Sequence, residues 1–232
     1  MVQIRYILYF FGIGLLTWLL THMEIAWPGS LNLHLVVNPG DRFGTSEYSP
    51  VELVQVVILV VCCLLYGWVA RHCPSQRPLA VPFCRIGIVF IIRELDYFLD
   101  RFIGDNFWQV LVAIVGSLVA VYLWRNGRRF RIAWLRIWPS PGLTLLFAGA
   151  AILFTFVRLI GHEPLWQALL GDGYQRIVKL AVEELMEIAG YYFWLIGTIE
   201  YVYQARAIAM RDPLPIAAKR REGRRPGSGG EF

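Results

Sequence analysis

Apolar stretches close to 20 residues long recur six times along this 232-residue chain, near 4–22, 51–70, 79–99, 107–124, 142–161 and 177–203. About 20 residues of α-helix are needed to cross a hydrocarbon core ~30 Å thick. Within lipid such a helix satisfies its own backbone hydrogen bonds, which an open strand or loop does not. The recurrence predicts an all-α polytopic membrane bundle of six transmembrane helices. With 57% hydrophobic residues, the composition excludes a disordered chain and argues against an ordinary soluble domain. The first stretch resembles a secretory leader in length. Its end, Thr21-His22-Met23-Glu24, lacks the small-x-small pattern of a cleavage site, so it is read as a spanning helix.

Basic residues set the orientation. Arg5, Arg71, Arg77, Arg85, the cluster Arg125 to Arg136 and the tail from Arg206 to Arg225 account for sixteen of the 22 Lys and Arg, and six spans put all of them on one side. Arg42, Arg101 and Arg176 fall on the other. The positive-inside rule then makes both termini cytoplasmic in a protein of the plasma (inner) membrane, with lipids as its partners. The net charge of +5 is a topology signal on this reading, and nucleic acid is not an expected partner. Of the four cysteines, Cys62, Cys63 and Cys84 fall within spans and Cys73 in an inner loop, so no disulfide framework is expected. The adjacent pair Cys62-Cys63 reads as small apolar packing.

One transmembrane domain over 1–210 is followed by a basic, disordered tail over 211–232. The long outer loop 23–50 alternates like a strand over 30–37, and reads either as a cover over the outer mouth or as an interfacial hairpin. The basic, aromatic segment 125–138 reads as an amphipathic helix lying at the interface.

Ionisable groups within spans carry the functional signal, because each costs at least ~2.5–3.5 kcal/mol at mid-bilayer unless it faces a protein interior or a watery cavity. Glu52 and Gln55 open the second span; Arg93, Glu94, Asp96 and Asp100 close the third; Arg158 and His162 close the fifth; Glu183, Glu184 and Glu187 open the sixth. All these helix ends lie on the outer side, which holds 13 of the 17 acidic residues. On a 100° wheel, Arg93, Glu94, Asp96, Tyr97, Asp100 and Arg101 fill one half, while Ile88, Ile91, Ile92, Leu95, Phe98 and Leu99 fill the other. The third span should therefore turn one polar side to the bundle and one apolar side to lipid.

The first functional expectation is a metal-dependent enzyme acting on a lipid-like or membrane-delivered substrate. Glu183, Glu187 and Arg93 would be catalytic, and Arg158, Gln55 and Tyr191 would bind substrate. Glu52, Asp96, His162 and Glu187 would hold a divalent ion, zinc or calcium, since the set mixes imidazole with carboxylate oxygens. The alternatives are a cation- or proton-coupled transporter using the same carboxylates, and a non-catalytic membrane protein in which polar residues lock the helices. Depth separates the first two, because a transporter needs a polar route to the cytoplasm. The inner half reads as dry, which favours the enzyme.

Overall fold

In the computed structural model the described residues are 2–27 and 50–211. The strand expected at 30–37 and the tail from 212 lie outside them. The described residues are all helical or in short connections. The order is α1 (Val2–Ala26), α2 (Pro50–His72), α3 (Arg77–Glu94), α4 (Asp96–Phe102), α5 (Phe107–Ile137), α6 (Pro141–Ala151), α7 (Val157–Ile160), α8 (Glu163–Leu170) and α9 (Arg176–Arg211). A widened π-helical turn, Ile152–Phe156, joins α6 to α7, and a single 3₁₀ turn, Gly171–Gly173, follows α8. Four helical segments are long and apolar enough to cross a membrane: Ile4–Ala26, Val51–His72, Phe107–Ile137 and Pro141–Ile160. α3 and α9, which carry Arg93, Glu94, Glu183, Glu184 and Glu187, are not among these four.

Local chemistry fixes several helix starts. α6 begins at Ser140-Pro141, where the serine hydroxyl accepts from the Leu143 amide at 3.3 Å and proline occupies the first turn. α3 likewise begins with proline in its first turn, after Gln76.

α9 is the element around which the others assemble: α2, α6 and α7 pack along it, and α1 leans on it. α3 packs on α2, and α5 packs on α3. α6 and α9 run antiparallel at very short range, because glycines meet backbone. A Cβ at Gly142 would stand 2.8 Å from the Tyr201 amide nitrogen, at Gly149 2.8 Å from the Gly190 carbonyl, and at Gly197 2.8 Å from the Leu146 nitrogen. Small residues that let backbones approach are the usual means of helix association where lipid offers no hydrophobic drive. The core between α2, α3, α6 and α9 is filled by Leu59, Cys62, Tyr66, Leu79, Phe90, Leu146, Leu153, Tyr191, Trp194 and Tyr201. All four cysteines are free thiols, and Cys63 and Cys84 each reach the other's carbonyl across the α2–α3 seam at 3.5 and 3.6 Å.

Two sequence expectations are corrected. The segment 125–138 is no separate interfacial helix. α5 runs unbroken for 31 residues, ~46 Å at 1.5 Å per residue against a ~30 Å hydrocarbon core. Its basic end is anchored by buried Ala133 and Ile137, and by Trp134 stacked on Phe130 and Trp138 with its edge on Phe147. The wheel over residues 93–101 holds only in part: Arg93 and Glu94 face protein and Ile88 is exposed as expected. The helix is interrupted at Leu95 (φ −105°, ψ 13°), where α3 ends and α4 begins. Ile91, assigned to the lipid side, packs against the core instead.

If the α6–α9 contact sets the spacing of the bundle, Gly149→Ala should destabilise it by about 1–3 kcal/mol, the usual cost of overpacking. Gly116→Ala on α5, where a Cβ meets nothing within 4 Å, should leave stability unchanged or raise it. Thermal unfolding in detergent, read by circular dichroism, checks both.

Candidate functional site

The carboxylates gather where the ends of α3 and α7 meet the beginnings of α2 and α9. Arg93 reaches from α3 to α9, its Nη2 donating to Glu187 Oε1 at 3.1 Å, and its Nε lies 3.8 Å from Glu94 Oε1. Glu94 turns inward, its side chain 7% exposed, and accepts from the Tyr191 hydroxyl at 2.5 Å. Gln55 of α2, fully buried, donates through Nε2 to Glu184 Oε2 at 3.1 Å. Lys179 pairs with Glu183 one turn along α9 at 3.0 Å. Glu183 also closes over Gly161 at the end of α7, where a Cβ would come within 2.5 Å of Oε1. Glu52 and Glu187 act electrostatically on Glu184, and Asp96 and Arg158 act on Glu94.

The charge balance follows from this inventory. Glu94, Glu183, Glu184 and Glu187 are four carboxyls in these contacts, against two cations, Arg93 and Lys179. Among the described residues no lysine or arginine pairs with Glu184; its hydrogen-bond donor is an uncharged amide. Buried like charges are not all ionised without compensation.

Of the predicted site residues, the structure brings together Glu183, Glu187, Arg93, Gln55 and Tyr191, with Glu52 and Asp96 at the edge of the group. Arg158 is exposed on α7, and His162 is exposed at the residue preceding α8. The ligand set Glu52, Asp96, His162 and Glu187 is not assembled around one point. Among the described residues no group of three or more His, Cys, Asp or Glu side chains stands ready to hold a metal ion. Glu94 and Glu184 are central to the cluster although neither was assigned a role from sequence. The signal for Glu94 was its position beside Arg93, and for Glu184 its place between Glu183 and Glu187.

α9 continues the polar face away from the carboxylates, at spacings of three and four: Glu184, Glu187, Tyr191, Trp194, Thr198, Tyr201. Thr198 Oγ1 lies 2.8 Å from the Tyr66 hydroxyl and 2.8 Å from the Trp194 carbonyl. The Tyr201 hydroxyl donates to the Gln76 carbonyl at 3.2 Å. Tyr66, Thr198, Tyr201 and Gln76 are all fully buried. Spare hydrogen-bonding atoms recur along the stripe: Gln55 Oε1, Trp194 Nε1 and both amide atoms of Gln76 are buried without a protein partner among the described residues. Further atoms without a hydrogen bond lie elsewhere among the described residues, at Arg5, Ser75, Asp100, Tyr174 and Gln204. Beside the inner end of the stripe, Glu200 is 2% exposed and holds α1 through Arg5 Nη2 at 3.2 Å and the Tyr9 hydroxyl at 2.9 Å. It is therefore an interhelical tether.

Comparison with protein-family models, with curated proteins and with solved structures gives no match to this chain.

The Tyr191–Glu94 bond joins α9 to the end of α3 within the site. Tyr191→Phe should cost about 1.5–3 kcal/mol, the value of a hydrogen bond to a charged group. Tyr203→Phe, at a position 46% exposed, should be silent. Thermal unfolding of the two variants in the same detergent distinguishes them.

Proposed function

We propose that this is a six-span inner-membrane protein, with both ends cytoplasmic, that moves protons or a small cation along the buried face of α9. The observation that carries the reading is the length of the polar stripe. Glu184 to Tyr201 is a rise of ~26 Å at 1.5 Å per residue, most of the ~30 Å hydrocarbon thickness. A purely structural lock does not require polar groups at every turn of one face. An enzyme confined to the outer leaflet does not require Tyr66, Thr198 and Gln76 at the inner end.

The division of labour follows from the geometry. The carboxyl excess at Glu184 and Glu187 attracts and holds the cation or proton. Arg93, fixed between Glu187 and Glu94, limits how much positive charge the cluster accepts and keeps α3 against α9. Tyr191, Trp194, Thr198 and Tyr66 supply donors and acceptors at successive depths, and Gln76 and Tyr201 form the inner exit. Intramembrane carboxylates in chains of this kind commonly serve as proton relays. The exposure of His162 and Arg158 weighs against the metal-dependent enzyme, whose ligand set and anion-binding residue they were to provide.

The six-span topology is checked by reporter fusions after Gln204 and within 30–45. The first should report the cytoplasm and the second the outside; an external C-terminus would remove the inner exit. Transport is checked in liposomes carrying a pH-sensitive dye and a potassium diffusion potential. The wild-type protein should admit protons faster than empty liposomes. Glu184→Gln and Thr198→Val should each slow entry about tenfold or more, ~1.4 kcal/mol in barrier, while Tyr203→Phe should not. A wild-type rate equal to that of empty liposomes, with sodium and potassium flux equally absent, would leave only the structural reading.

A further inference from the structure

A groove of about 580 Å³ lies between α2 and α3 at the end of the bundle opposite the carboxylates, well away from the α9 stripe. Three arginines line it: Arg71 at the end of α2, Arg77 at the start of α3, and Arg85 two turns further along α3. The rest of the wall is apolar, with Val81 between Arg77 and Arg85 along α3 and Ile88 one turn beyond Arg85. Gly67 opens the α2 side, since a Cβ there meets nothing within 4 Å.

The arginines are arranged for an external anion. Arg71 and Arg77 are exposed, and among the described residues neither forms an ion pair. Arg85 is held in place, its Nη1 donating to the Leu118 carbonyl of α5 at 2.6 Å and its guanidinium 5.1 Å from the centre of the Tyr122 ring. A guanidinium has five donors, so that anchoring leaves others to turn toward the groove. Uncompensated positive charge above an apolar slot of this size matches one ligand class in shape and in charge. The phosphate meets the arginines, and an acyl chain lies along Val81 and Ile88 past the space left by Gly67.

We infer that the groove between α2 and α3 is a binding site for an anionic phospholipid, with Arg71, Arg77 and Arg85 holding its phosphate. The inner leaflet, where these arginines fall on the proposed topology, is the one that carries anionic lipid, and basic pockets between helices on that side suit such headgroups. The inference rests on the bundle lying in a bilayer. It does not require ion movement, and its test reads binding alone, so a failure of transport leaves it standing.

The test compares thermal unfolding of the full chain in micelles doped with phosphatidylglycerol, with phosphatidylcholine, or with inorganic phosphate. Phosphatidylglycerol should raise Tm by roughly 3–6 °C through preferential binding to the folded state, and the other two should not. Arg71→Gln with Arg77→Gln should abolish the shift. Gly67→Leu, which keeps every charge and fills the slot, should abolish it too. Arg128→Gln with Arg129→Gln, an equal loss of charge on α5, should retain it. Equal shifts with both lipids, an equal shift with phosphate alone, or loss of the shift in the α5 control would each overturn the proposal. Should a groove variant unfold without added lipid, native mass spectrometry of wild-type protein decides. Retention of phosphatidylglycerol but not phosphatidylcholine supports the site, and indifferent retention overturns it.

Discussion

One face of α9 carries the buried polar groups, and the rest of the bundle is arranged to cover it. The helix presents Glu184, Glu187, Tyr191, Thr198 and Tyr201 on one side. On the proposed topology, exposing the two glutamates to lipid would cost up to ~2.5–3.5 kcal/mol each, the value at mid-bilayer. α2, α3 and α6 cover that side, and each brings something the face needs. α2 brings Gln55 and Tyr66, α3 brings Arg93, and α6 brings glycines that permit backbone contact. α5 contributes none of this. It packs on α3, and apart from Ala133 and Ile137 near its basic end none of its residues is fully buried.

The interactions differ in kind along the helix. At the carboxylate end they are ionic, and a buried pair is weak evidence of stability, since desolvation offsets much of the Coulombic gain. What such a pair gives is register, because breaking it leaves an isolated buried charge. Arg93 therefore fixes where α3 sits on α9, and Glu200 with Arg5 and Tyr9 does the same for α1, which has few other contacts. At mid-depth the contact is steric, glycine against backbone. Toward the inner end it is hydroxyl to hydroxyl and hydroxyl to carbonyl, neutral and short, between Thr198, Tyr66, Tyr201 and Gln76.

Much of this was legible in the sequence, and the remainder was hidden for physical reasons. Helix length and apolarity announced the all-helical membrane architecture, and the cost of charge in lipid announced that Arg93, Gln55, Glu183 and Glu187 would meet. The break at Leu95 was not visible, because neither glycine nor proline marks it and a wheel drawn through it continues smoothly. The unbroken α5 was misread because Gly127 and the arginines after it imitate an interfacial element; the aromatic stack at Trp134 that supports the helix is a tertiary contact. The hydrogen-bonded stretch beyond the carboxylates was not visible because Tyr66, Thr198 and Gln76 are ordinary neutral residues when taken singly. They become a line only once α2, the α2–α3 turn and α9 are in register. Gly142, Gly149, Gly190 and Gly197 gained meaning in the same way, as opposed pairs and not as isolated small residues.

The central claim is that the buried charges of α9 are matched by partners on its neighbours and that this matching positions the bundle. A double-mutant cycle on Arg93→Gln and Glu187→Gln, with unfolding free energies measured in mixed micelles, tests it directly across the α3–α9 boundary. The account predicts that each single substitution costs more than the pair together, with a coupling energy of about 1–3 kcal/mol. Costs that simply add, to within about 0.5 kcal/mol, would contradict it.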